Sequence, residues 1–180
     1  SRKVLGAAFR YQLGLPDGFF TADRASLERV IIAIRRHQPK VLITNAVRDR
    51  HPDHGRAASL VAEAAFLSGL RRVPTTYEGK DQEAWRPVTV LHAIQDFYIQ
   101  PDLVVDITPY WPKKMEALYC FASQFHDPTS TEPTSPIATP DFLPFLEARA
   151  REMGRLIGVT YGEGFTTRRP VGVNDLVGLR

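Results

Sequence analysis

Three observations predict an α/β protein with a mostly parallel sheet. Short apolar runs of strand type (KVLITNA, RPVTVLHAIQ, DLVVDIT) alternate with longer segments whose apolar residues recur at helical spacing. KVLITNA is continuous rather than alternating in its apolar residues, as a strand covered on both faces would be. No internal repeat breaks the order, so strands and helices are expected to alternate through one sheet.

Taken in order, SRKVLG reads as the end of a helix capped by Gly6. A domain seldom opens on the last turn of a helix, so the chain is expected to begin inside a larger arrangement. FRYQLGLPDGFF is extended and broken by the turn Pro16-Asp17-Gly18. In SLERVIIAIRRHQP, Leu27, Val30, Ile31 and Ile34 fall on one helical face, and Pro39 stops the helix. Val41, Leu42 and Ile43 are expected to be buried on both sides of the sheet. After RDRHPDHG, the segment RAASLVAEAAFLSGL is a helix ending at Gly69, and residues 71–86 form a polar surface loop. Two strands follow, RPVTVLHAIQ and DLVVDIT, joined at Gln100-Pro101-Asp102.

Pro112 stands near the first helical position of WPKKMEALYCFASQF, where Met115, Leu118, Tyr119 and Ala122 repeat at helical spacing. HDPTSTEPTSPIATP is rich in Pro, Ser and Thr and is a loop. FLPFLEARAREMGRLIG is a further helix, and VTYGEGFTTRRPVGVNDL closes the chain as an extended tail in which YGEGF reads as a turn.

A length of 180 residues suits one domain, here 1–180, with a sizeable core. Its 43% hydrophobic and 24% charged residues are those of an ordinary globular protein. No run of about 18 apolar residues occurs, so no membrane partner is expected. SRKVLGAAFRYQLG has no apolar stretch of the kind a secretion signal needs. A single cysteine, Cys120, excludes an internal disulfide and fits a cytoplasmic protein. The basic pairs Arg35-Arg36, Arg71-Arg72, Lys113-Lys114 and Arg168-Arg169 are scattered, whereas a nucleic-acid binder concentrates its charge on one stripe. Nucleic acid is therefore not an expected partner. No G-x-G-x-x-G follows a strand, which argues against a dinucleotide site.

The stretch RDRHPDH at 48–54 carries the chemistry. Imidazole and carboxylate are zinc donors, and a catalytic zinc keeps one position open for water. Pro52 biases His51 toward an extended backbone, so His51 and His54 could face one cleft from a bent loop. Asp53 is suited to hold an imidazole by its ring N–H. The loop follows a strand and enters a helix, the place where open α/β sheets bind ligands. The bland alternative is two surface histidines beside a turn. Of the other histidines, His37 complements a helix C-terminus, His92 is a sheet or core residue with its polar atoms satisfied, and His126 opens the Pro-rich loop. Lys113 and Lys114 are expected to solvate a helix start, and Cys120 to pack as a small hydrophobe. Trp85 and Trp111 are expected to anchor core or interface.

HPDH between a strand and an Ala-rich helix resembles a motif of the PIG-L/LmbE-like zinc-dependent deacetylases. LGLPDG (13–18), VVDIT (104–108), KKMEAL (113–118), SQF (123–125) and YGEGF (161–165) resemble further segments of that family, in its order and over nearly the whole chain. The combination looks most like the branch that deacetylates N-acetylglucosaminyl malate in bacillithiol biosynthesis. The resemblance implies a Rossmann-like fold and a cytoplasmic homo-oligomer acting on a small N-acetylglucosaminyl substrate. It implies that His54 is a zinc ligand and that His51 is the imidazole that stabilises the oxyanion or assists the leaving amine. Asp53 would orient an imidazole, Asp17 would contact sugar hydroxyls, and Arg50 would line the pocket. It also implies that an N-terminal strand–helix unit bearing an AHPDD-type motif, with two further ligands and the general base, is not in this chain. The alternative is a non-catalytic α/β scaffold or assembly subunit that retains half a metal site.

Overall fold

The computed structural model describes residues 1–121, 124 and 135–179. Ala122, Ser123, Phe125, His126 and the Pro-rich stretch as far as Thr134 lie outside the described residues. The chain divides into two compact units: Leu13–Leu103 with Phe165–Leu179, and Ser1–Gln12 with Val104–Gly164.

The unit beginning at Leu13 is built on two packed helices. Helix α2 (Arg24–His37) starts at Asp23, whose carboxylate accepts the Ser26 N–H at 2.8 Å. It ends on Arg35, Arg36 and His37, cations that complement the helix C-terminus. Its buried face of Val30, Ile31 and Ile34 packs with Leu60, Ala64 and Ala65 of α3 (Pro52–Leu67), and Phe20 completes the cluster. The alanines let the two backbones approach closely, because they put little between the helix axes. Trp85 packs against the same cluster and donates its Nε1–H to Pro39 O at 2.9 Å.

Strand β1 (Val41–Thr44) runs parallel to β4 (Thr89–Ala93), pairing Val41 with Thr89 and Thr44 with His92. The last three residues of β6 (Gly162–Thr167) pair with β4 in the opposite sense, Leu91 with Thr167 and Ala93 with Phe165. The sheet is therefore mixed, a correction to the mostly parallel expectation. An apolar run marks a strand but carries no record of the direction in which the chain crosses the sheet. Burial of β1 also differs from expectation. Leu42 packs on the helical cluster, while Val41 and Ile43, on the other face, are 53% and 58% exposed. The expected loop 71–86 contains a small hairpin, β2 (Thr76–Tyr77) and β3 (Lys80–Asp81). Glu78 and Gly79 both take positive φ (51° and 73°), as a two-residue hairpin turn requires.

In the unit containing Ser1, α1 (Arg2–Leu5) ends on Gly6 at φ 66°, as read from the sequence, and packs on α4 (Trp111–Tyr119). β5 (Leu103–Asp106) leads through a 3-10 turn (Thr108–Tyr110) into α4. Trp111 stacks on Tyr161 with centroids 4.4 Å apart. YGEGF is not a turn but the entry into β6. Gly162 lies against α5 (Phe142–Leu156) so closely that a Cβ there would stand 2.7 Å from Gly154 N. Lys114 grips Glu163 at 2.6 Å instead of only solvating its helix, and Cys120 is exposed at the end of α4 rather than packed. No described helix is long and apolar enough to cross a membrane.

Candidate active site

HPDH is not a loop. It is the cap and first turn of α3: His51 caps the helix in an extended conformation (φ −82°, ψ 125°), Pro52 occupies the first position, and Asp53 and His54 follow. An imidazole takes the place of the usual hydroxyl or carboxylate cap. His51 Nδ1 accepts the Asp53 N–H at 3.2 Å. Asp53 in the first turn is favoured by the partial positive charge of that helix end.

Asp53 ties the Pro16-Asp17-Gly18 turn to the helix. Its Oδ2 accepts the Gly18 N–H at 2.6 Å and its Oδ1 accepts from Arg56 Nη1 at 2.8 Å. Arg56 Nη1 also donates to Gly18 O at 2.7 Å, closing the link. Asp17 is thereby brought to His51, and ligand atoms of Asp17, His51 and Asp53 lie within 4.8 Å of one another. Burial opposes ionisation of Asp53, but the Gly18 N–H, the Arg56 bond and the nearby His51 together outweigh it and hold the carboxyl below its ordinary value.

His54 stands beside this cluster, its ring centroid 5.4 Å from that of His51. Its Nδ1 is hydrogen-bonded to Asp49 Oδ2. The Asp49 side chain is fully buried, and its Oδ1 accepts the N–H groups of Asp96 (2.9 Å) and Phe97 (2.8 Å). Burial is the largest influence on Asp49 and opposes ionisation. The bonds from His54, Phe97, Arg50 and Asp96 outweigh it, so this carboxyl too is held below its ordinary value. Arg50 turns to Asp96, at 2.9 Å.

Of the residues singled out in the sequence, Asp17, His51 and Asp53 are gathered into one cluster, with His54 adjoining. Arg50 engages an acid on the segment after β4. The side-chain bonds of Asp53 go to Gly18 and Arg56, and the carboxylate that holds an imidazole is Asp49. Sequence reasoning missed both Asp49 and Arg56. Asp49 lies inside the RDRHPDH stretch, and Arg56 is one helical turn from Asp53, a spacing that supports an ion pair. His92 is wholly buried as expected, but only half satisfied. Its Nδ1 meets Asn45 O at 3.1 Å and its Nε2 has no partner among the described residues.

The two site imidazoles are engaged in opposite ways. An Nδ1 that accepts an N–H leaves the ring proton of neutral His51 on Nε2, a donor. A carboxylate can only accept, so Nδ1 of His54 carries its proton and Nε2 keeps a lone pair. No protein partner meets that Nε2 among the described residues. This donor chemistry fits zinc. Around Asp53 the fit is poorer, because both oxygens are engaged and the Arg56 guanidinium lies 2.8 Å away.

No protein-family model matches the chain. Over 128 residues it is 28% identical to the 4-oxalmesaconate hydratase of Pseudomonas putida KT2440, covering 69% of the chain and 48% of that protein. The chain thus spans about half the length of this curated relative. A conserved protein of Thermus thermophilus superposes with a TM-score of 0.84 at 27% identity, over 99% of the chain and 73% of the other. Two further structures share the fold. One is the 4-carboxy-2-hydroxymuconate hydratase of P. putida KT2440 (TM-score 0.75, 21% identity, 98% and 71% covered). The other is the N,N'-diacetylchitobiose deacetylase of Pyrococcus horikoshii (TM-score 0.72, 24% identity, 91% and 58% covered).

Proposed function

We propose that this chain is part of a PIG-L/LmbE-like hydrolase that uses zinc to remove the acetyl group from an N-acetylglucosaminyl conjugate such as N-acetylglucosaminyl malate. The observation that carries the reading is the opposite engagement of the two imidazoles. His54, with Nδ1–H given to Asp49, offers Nε2 as a metal ligand; His51, with Nδ1 capping α3, offers Nε2–H as a donor.

Zinc, when bound, supplies a water of lowered pKa and polarises the acetyl carbonyl. His51 then offers its Nε2–H as a hydrogen-bond donor to the developing oxyanion or to the departing amine. Asp17, exposed on its turn, accepts sugar hydroxyls. Arg50, fixed by Asp96, lines the pocket wall. The reading requires an AHPDD-type segment elsewhere in the whole protein for the remaining ligands and the base that takes the water's proton.

A second reading, hydration of an unsaturated dicarboxylic acid, is favoured by the hydratase similarity alone. Both reactions add water to an electrophilic carbon, so product analysis separates them. The zinc-loaded gene product is expected to release acetate stoichiometrically from N-acetylglucosaminyl malate and to leave 4-carboxy-2-hydroxymuconate unchanged. Loss of the muconate absorbance without acetate release would reject deacetylation in favour of the hydratase.

A further inference from the structure

We propose that Asp49 is the positioning residue for His54, and that through it the segment after β4 fixes the direction of the metal-facing nitrogen. The inference rests on reading His54 as a metal ligand. One carboxylate has two duties. Oδ2 holds His54 Nδ1, while Oδ1 accepts the N–H groups of Asp96 and Phe97 at 2.9 and 2.8 Å. The side chain is fully buried, so water does not compete for either oxygen.

Two further ties bind the same two segments. Arg50 meets Asp96 at 2.9 Å, and Gln95 Oε1 accepts from Asn45 Nδ2 at 3.1 Å and from the Ala46 N–H at 3.0 Å. Residues 95–97 and 45–50 therefore hold together through a set of side-chain hydrogen bonds, with the Asp49 carboxylate at their junction. Rotation of the His54 ring would leave a buried carboxylate oxygen without its partner. Such loss is costly in a site closed to water. Held in this way, the ring presents Nε2 with a lone pair and not a proton. Outer-sphere carboxylates act on metal-bound histidines in this manner.

Asp49→Asn separates positioning from simple support, since it preserves size. The Asn carbonyl can keep the two backbone N–H groups, and its NH2 then faces His54 Nδ1 and donates. The ring proton moves to Nε2, and the ligand becomes a donor. The test uses the whole gene product with three readouts: imidazole nitrogen shifts of His54 without metal, zinc affinity by chelator competition, and circular dichroism for the fold.

The wild type is expected to show His54 as the Nδ1–H tautomer. Asp49→Asn is expected to show Nε2–H, with a native spectrum and zinc affinity reduced about 10–100-fold. An Nε2–H tautomer in the metal-free wild type overturns the proposal whatever the variant does, as does an unchanged tautomer with wild-type zinc affinity in Asp49→Asn. A His54→Ala control with undiminished zinc affinity would overturn the ligand reading and the metal half of this inference. In that event the tautomer shift still decides, on its own, whether Asp49 orients the ring.

Discussion

Arg35, on α2, is nearly buried and ion-paired to no acid among the described residues. Its guanidinium is spent on oxygens near the end of α3: Ser68 O (3.0 Å), Leu70 O (2.9 Å), Val73 O (2.7 Å) and Thr75 Oγ1 (2.7 Å). Carbonyls at a helix end have no partner within the helix, and one planar fork satisfies several at once. Arg35→Met keeps the apolar stem and removes all four bonds, with Ser68 O and Leu70 O keeping only the N–H groups of Trp85 and Val73, so it is expected to cost on the order of 3 kcal/mol in urea denaturation. A loss below about 0.5 kcal/mol would show that water replaces the guanidinium freely. His92 supplies a pH dependence. Burial pushes its pKa below the ordinary 6.5, helped by the positive Arg168 and opposed by the bond to Asn45 O. The unfolded chain thus takes up a proton where the folded chain does not. This contribution is complete above pH 6.5 and is lost as pH falls below it, until the folded value is reached. Unfolding midpoints measured from about pH 8 to about pH 5 should fall more steeply for wild type than for His92→Gln; equal slopes would contradict the assignment.

Among the elements, α5 and β6 depend on two glycines facing each other. A Cβ on Gly162 would meet Gly154 N at 2.7 Å and Met153 C at 2.8 Å, and one on Gly154 would meet Val159 O at 2.7 Å. These neighbours are backbone and cannot swing aside. Gly162→Ala is expected to cost about 1–3 kcal/mol, while Gly172→Ala, with nothing within 4 Å, should be nearly neutral. Equal melting temperatures for the two variants would refute this packing account. The same region shows what a sequence conceals. Helix α2 was legible because its apolar residues repeat along one face and Pro39 marks its end, and α3 and α5 were legible from their composition, although HPDH read as a loop and not as the first turn of α3. YGEGF was not, because its glycines serve close packing and a glycine pair reads equally well as a turn. The sense of β6 follows from tertiary pairing, which no local pattern encodes. In the site, the histidines stood out by type and spacing. Asp49 did not, because its role arises only when the segment after β4 folds back on it.

For the whole molecule, the comparisons establish a fold shared with a hydratase and with a deacetylase, and the fold by itself assigns neither chemistry. On the proposed reading the two imidazoles have different duties, His54 holding metal and His51 donating its Nε2–H to the reacting group. His51→Ala should then keep zinc while lowering acetate release by about 10²–10⁴-fold. The most direct test is the zinc content of the purified whole protein in two variants, His54→Ala and His51→Ala. The account predicts that His54→Ala loses its zinc and that His51→Ala retains the wild-type amount. Zinc retained by His54→Ala and lost from His51→Ala would contradict it, and would place the metal at Asp17, His51 and Asp53 instead.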